Sequence, residues 1–446
     1  MPQSIFPKDF IWGASTASYQ IEGAFNEDGR GESIWDRFSH TPSKVDNGDT
    51  GNIACNHYAL YKDDINLMKE LGLQSYRYSI AWPRIFPDGK GKPNQKGMDF
   101  YLRLTENLLE NGIKPAITLY HWDLPQKLQD IGGWNNRDVT DYFTEYSSYI
   151  FQKLGDMVPI WMTHNEPWCT AFLGNMTGLH APGITDTSTA LEVSHNLLLS
   201  HGKVVQLYRD MNLNGKIGIV LNFSTKYPAS QSKEDLHATW LSDGVINRWF
   251  LDPLFKGTYP EDTVALYKAK GAHFSYPEED LKIISKPMDF LGVNYYSSEF
   301  IQHCDQNFYK GINSELKQLE TTDMGWIVYP QGLHDLLVRL HNDCGKIDLY
   351  IAENGAAYKD AITHEGRIED IERQNYLLSH IKESHRAIEH GVNLKGYYVW
   401  SLMDNFEWSF GYSKRFGIVH VDFESQKRTV KQSGYLYKNI INQNGI

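Results

Sequence analysis

Eight short apolar runs recur along the chain, each bounded by turn residues and separated by stretches of helical spacing. They cover Phe10 to Ala14, Gln74 to Trp82, Lys114 to His121, Pro159 to Asn165, Lys216 to Asn222, Phe290 to Tyr296, Asp348 to Ala352 and Lys395 to Leu402. Runs of this length, rich in β-branched and aromatic residues, suit buried strands better than helices. Between them the period changes: Ile65, Leu67, Met68 and Leu71 recur as on one helix face, and the pattern of Phe100 to Asn111 stops before Gly112. Gly72 and Gly112 stand where a helix C-cap should meet the next strand. Strand and helix alternating about eight times predict an α/β fold, a (β/α)8 TIM barrel with elaborated βα loops. No linker-like tract, long charge run or tandem repeat interrupts residues 1–446. A single domain is therefore expected over the whole length.

Charge and cysteine content narrow the partners. Acidic residues outnumber basic ones by 55 to 43, a formal charge of −12. That balance disfavours an electrostatic grip on nucleic acid or an anionic membrane and points to a neutral small-molecule substrate. Cys55, Cys169, Cys304 and Cys344 are scattered without the close spacing of a disulfide framework or a zinc site. Reduced thiols and a cytoplasmic location are expected from this. The segment from Met1 to Phe10 lacks a basic stretch followed by an apolar one, and no run approaches the ~20 apolar residues of a membrane span. Nothing in the sequence decides the oligomeric state.

In such a barrel the residues at the C-terminal strand ends face the active site. Those ends carry Arg77 and Trp82, His121 and Trp122, Asn165 and Glu166, Asn222, Asn294 and Tyr296, Glu353, and Trp400. Two of these are carboxylates that terminate apolar runs, Ile160 to Asn165 and Leu349 to Ala352. A carboxylate at the tip of a core strand is seldom tolerated unless paired or employed. Two such tips meet the need of a glycosidase, a proton donor on one side of an acetal and a nucleophile or base on the other. The set has no lysine suited to a Schiff base and no His-x-His cluster, so neither a metal nor another cofactor is expected.

At this point longer motifs become legible. Asn165-Glu166-Pro167 and Tyr350-Ile351-Ala352-Glu353-Asn354-Gly355 resemble the two signatures of glycoside hydrolase family 1, the β-glucosidase family, in its bacterial form. Supporting segments run from Phe10 to Gly23, Tyr120 to Pro125, Asn294 to Tyr296 and Trp400 to Trp408. The resemblance implies a retaining mechanism on β-linked sugars, with Glu166 as general acid/base and Glu353 as nucleophile. It further implies Arg77, Asn165, Asn294 and Tyr296 as catalytic support. Gln20, His121, Trp122, Trp400, Glu407 and Trp408 would surround the non-reducing sugar, with Trp168 and Trp326 as aglycone walls. Gln20 and Glu407 are each expected to offer two groups to adjacent hydroxyls. An anionic Glu407 would repel a 6-phosphate, which favours a free sugar.

Two departures from the common family pattern stand out. His164 precedes Asn165, and Ser409-Phe410 follows Trp408. The first is expected to be a histidine satisfied by backbone on the far side of its strand, the second to make the entrance less polar. The expected activity is removal of terminal β-D-glucosyl, and also β-galactosyl, residues from cello-oligosaccharides or aryl and alkyl glucosides. A 6-phospho-β-glucosidase, or an enzyme that mainly transfers the glycosyl group, uses the same carboxylates and stays open.

Overall fold

The computed structural model describes residues 4–316 and 318–446. Its centre is a closed barrel of eight parallel strands: β1 (Ile11–Ser15), β2 (Ser75–Ser79), β3 (Lys114–Tyr120), β4 (Ile160–Asn165), β5 (Lys216–Phe223), β6 (Phe290–Tyr295), β7 (Asp348–Asn354) and β8 (Leu394–Trp400). Each strand pairs with its neighbours in chain order, and β1 closes on β8. Every apolar run expected to be a strand is one, with ends displaced by a few residues. The largest displacement is at Trp82, which opens a short helix beyond β2. Its indole donates to the Gly89 carbonyl at 3.0 Å and its ring stacks on Tyr146, so Trp82 belongs to the helix packing and not to the strand ends.

The barrel interior is filled by Ala116, Ile160, Met162, Val220, Phe290, Tyr350, Ala352 and Tyr398. A second, larger apolar layer lies between the strands and the surrounding helices. Strict alternation along β4 would place Met162 inside, Thr163 outside, His164 inside and Asn165 outside. A register shift between Met162 and Asn165 resets that order. Thr163 Oγ1 meets His201 Nδ1 and His164 Nε2 meets Ser200 Oγ, both at 2.8 Å and both on the helix Thr187–Asp210. Asn165 is thereby returned to the inside. On β7 a shift between Ile351 and Glu353 does the same, so that Glu353 follows Ala352 inward. Bulges re-aim side chains at the cost of a ladder position. Here they sit at the two strand ends that carry the carboxylates.

The loops beyond the strand ends are long and carry their own structure. They include a three-stranded sheet of Lys226–Pro228, Glu299–Cys304 and Phe308–Gly311, and a hairpin of Val419–Val421 with Arg428–Val430. The loop after β8 is held from below by buried charges. Asp404 accepts from Lys431 Nζ at 2.6 Å and from Arg415 Nη1 at 2.7 Å, and Lys431 also pairs with Asp360. Arg373 joins Asp360 and Asp370 at 2.9 and 2.5 Å, which balances three cations against three anions.

Candidate active site

Arg77 is the hub of the site. Its fully buried guanidinium donates through Nη1 to Glu353 Oε1 at 2.6 Å and to the Ala352 carbonyl at 3.2 Å, and through Nη2 to Asn165 Oδ1 at 2.7 Å. Tyr296, directly after β6, donates a hydrogen bond from its hydroxyl to Glu353 Oε2 at 2.6 Å. Burial and the nearby Glu353 hold the Tyr296 hydroxyl well above its ordinary range, so it stays a donor. Glu353 therefore meets a cation on one oxygen and a hydroxyl on the other, two charge-assisted hydrogen bonds.

Glu166 has neutral partners only. Oε1 accepts from Asn294 Nδ2 at 2.8 Å and Oε2 from the Cys169 thiol at 3.1 Å. Burial, then the neighbouring Glu353, pushes Glu166 up to about 7, against the opposing pull of Asn294, Cys169 and Arg77. The residue has a left-handed φ of 46°, which turns the side chain off the end of β4 toward Glu353.

His121 follows β3. Its Nε2 accepts from the Asn165 amide at 3.0 Å, and burial next to Arg77 lowers the ring far below its ordinary range. The ring is therefore neutral with its proton on Nδ1, a buried atom without a partner among the described residues. Trp122 anchors the same loop through its indole, which donates to the Asn165 carbonyl at 2.8 Å. The rings of Trp400 and Trp408 flank His121 at 5.9 and 6.0 Å, each within 20° of parallel.

Gln20 and Glu407 hold a different balance of groups from the expected one. Both protons of the Gln20 amide are committed to the loop after β8, to Asn405 Oδ1 at 3.0 Å and the Phe406 carbonyl at 2.8 Å. Only its Oε1 is left, buried and unpartnered among the described residues, as is Glu407 Oε2. Enclosure, with Glu353 and Glu166 adding to it, raises Glu407 to about 8. A value raised this far favours the uncharged carboxyl, which weakens the expected repulsion of a phosphate.

A cavity of about 810 Å³ opens at the C-terminal mouth of the barrel, with Gln20, Arg77 and Asn294 behind its lining. His121, Trp122, Asn165, Glu166, Tyr296, Trp326, Glu353, Trp400, Glu407 and Trp408 line it. So do Cys169, Leu173, Leu179, Met324, Phe410 and Phe416, of which only Phe410 was expected near the entrance. Leu179 and Phe410 are 61 % and 40 % exposed at the mouth, where Ser409 Oγ donates to the Leu179 carbonyl. Trp168 is turned away: its indole donates to the Val245 carbonyl at 3.2 Å and its ring packs on Phe172. Asn222 pairs in register with Asn294 but is not part of the lining. His164 faces Ser200, a side chain where a backbone partner was expected, and does not approach Glu166.

A parallel eight-stranded barrel with two unequal carboxyls facing one deep, aromatic-walled cavity defines a glycoside-cleaving enzyme. Residues 2–446 match the model of glycosyl hydrolase family 1, and the chain belongs to that family. It is 61 % identical to beta-glucosidase A of Acetivibrio thermocellus over 447 residues, covering 100 % of both chains. The structure of a beta-glucosidase from Thermotoga maritima in complex with glucoimidazole superposes with a TM-score of 0.96 at 46 % identity, covering 99 % of this chain and 100 % of that one. A 6-phospho-beta-galactosidase of Clostridium acetobutylicum is 40 % identical, over 98 % of this chain and 96 % of its own. The fold is thus shared by enzymes named for different sugars, and specificity rests on side chains around the cavity. Among the described residues, no helix is long and apolar enough to cross a membrane.

Proposed function

We propose that this protein is a retaining β-glucosidase in which Glu353 is the nucleophile and Glu166 the general acid/base, within a single catalytic domain. The observation that carries the assignment is the unequal bonding of the two carboxyls. Glu353 is paired with Arg77 at 2.6 Å, whereas Glu166 has only neutral donors and is raised to about 7. In the first step Glu353 attacks the anomeric carbon while Glu166 gives its proton to the glycosidic oxygen, and the aglycone leaves as an alcohol. In the second, ionised Glu166 takes a proton from water, which attacks the same carbon and frees Glu353. Asn165, fixed by Arg77, Asn294 and His121, is placed to bond the sugar 2-hydroxyl, a contact that strengthens as the oxocarbenium-like state forms.

Gln20 Oε1, the His121 Nδ1 proton and the Glu407 carboxyl supply an acceptor, a donor and a group that does either. That set suits the hydroxyls of a glucose-like ring resting on Trp400 and Trp408, and it also accommodates galactose. The lining holds one lysine, the exposed Lys44, and no arginine, which gives a 6-phosphate no buried cation to meet. Trp326, Leu173, Leu179 and Phe410 form the aglycone side. All of these residues come from one chain.

A 2-deoxy-2-fluoro-β-glucoside with a good leaving group tests the assignment, because it slows breakdown of the covalent intermediate. Mass spectrometry should find one sugar per chain, on the peptide containing Glu353. Label on another residue would overturn the role of Glu353.

A further inference from the structure

The thiol of Cys169 is the one group among the described residues that is hydrogen-bonded to Glu166 Oε2. Its placement is built into the backbone. Glu166 follows β4 with a left-handed φ of 46°, the Cys169 N–H donates to the Glu166 carbonyl at 2.9 Å, and a widened helical turn runs from Cys169 to Leu173. Such widened turns gather at functional sites because they shift side chains out of helical register.

The two oxygens of Glu166 are not equivalent. Oε1 faces Asn294 Nδ2, which also donates to Asn165 Oδ1 at 3.1 Å, so Oε1 meets a permanent donor and remains an acceptor. The transferable proton therefore resides on Oε2. When Oε2 is protonated, the thiol has no anion to bond; when Oε2 is ionised, the S–H points at the charge. A hydrogen bond available to one protonation state shifts the balance toward that state.

We infer that Cys169 is a positioning residue that stabilises the ionised form of Glu166, and so sets the pH at which the acid is lost and eases its turn as a base. The inference rests on the acid/base reading of Glu166. Burial and the adjacent Glu166 keep the Cys169 thiol far above its usual range, so it acts as an S–H donor and not as a thiolate. The other groups facing Glu166 are Glu353 from β7, which opposes its ionisation, and Arg77 from β2, which favours it. Tyr296 beyond β6 and Glu407 beyond β8 complete the field, and neutral His121 reaches it through Asn165. The thiol is the weak member of this set, and a weak donor suits a group that must hold and release one proton in each turnover.

The test is the pH dependence of kcat/KM on an aryl β-glucoside for the wild type, Cys169→Val, Cys169→Ala and Cys169→Ser, with Glu166→Ala as reference. Loss of the donor in the Val and Ala variants should move the basic limb up by ~0.5–1 pH unit. The Ser variant, whose hydroxyl still donates, should keep the limb within ~0.3 unit of the wild type or move it down. The Ala variant serves if the branched Val side chain fails to fold. An unmoved limb in both Val and Ala, or one equal shift in all three variants, would overturn the role of Cys169. A basic limb that persists in Glu166→Ala would instead overturn the acid/base reading on which it rests.

Discussion

Arg77 and Glu353 form a 2.6 Å ion pair between strands that do not touch, with side chains 0 % and 4 % exposed. A charge pair this enclosed contributes little net stability over an apolar substitute, but removing one partner leaves the other buried and uncompensated. Arg77→Met should therefore lower stability by about 3–5 kcal/mol. It should also reduce kcat by on the order of 10²-fold or more, because Glu353, the proposed nucleophile, loses its charged partner and the bond that orients it. Denaturant unfolding beside steady-state kinetics checks both parts. A variant of normal stability and activity would show that Glu353 does not depend on Arg77.

For Glu166, leaving-group ability is the discriminating variable. Glu166→Ala should cost ~10²–10⁴-fold on alkyl glucosides and cellobiose, which need protonation to depart. The first step should suffer far less with a dinitrophenyl glucoside. In the intact enzyme the acid form is the active one, so kcat/KM should fall as pH rises through about 7, the value to which Glu166 is raised. Equal losses on both substrate types would remove the acid/base role.

Glu407 carries a cost that changes with pH. Its folded value of about 8 lies above the ordinary 4.5, so the folded protein binds more protons than the unfolded chain between these values. Stability contributed by this group is present below about 4.5 and is lost as pH rises toward 8. Glu407→Gln removes that loss. Its melting temperature relative to the wild type should climb between pH 5 and pH 8, while kcat/KM on aryl β-glucosides declines at every pH. A difference in melting temperature that is flat with pH would contradict the raised value.

The buried charges below this loop make a separate prediction. Lys431 is fully buried and pairs with Asp404 and Asp360, and Asp404 anchors the segment that carries Asn405, Glu407 and Trp408. Lys431→Met should destabilise by about 3–5 kcal/mol. It should also raise KM more than it lowers kcat, because the change loosens sugar contacts and leaves both catalytic carboxyls in place. Parallel urea titration and Michaelis kinetics on one aryl glucoside would separate these effects.

The strand order and the two carboxylates were legible in the chain because their causes are local. A strand buried on both faces needs a continuous apolar run, and a glutamate that ends such a run is conspicuous. The longer motifs then named the family and ten of the residues that line the cavity. Four features were decided elsewhere. Whether His164 faced Glu166 depended on the register shift between Met162 and Asn165, which arises between strands. Trp82 and Trp168 were drawn off the site by the carbonyls of Gly89 and Val245. The charge of Glu407 and the freedom of the Gln20 amide depended on enclosure and on the returning loop after β8. Cys169 stood three residues from Glu166 in the sequence, a spacing that hinted at contact, but only the widened turn put its sulfur on Oε2. Sequence alone determined which groups are present and which strands carry them, because pattern and covalent order decide both. Tertiary structure decided which atoms meet and how they are charged, because hydrogen bonds and desolvation are set by neighbours far along the chain.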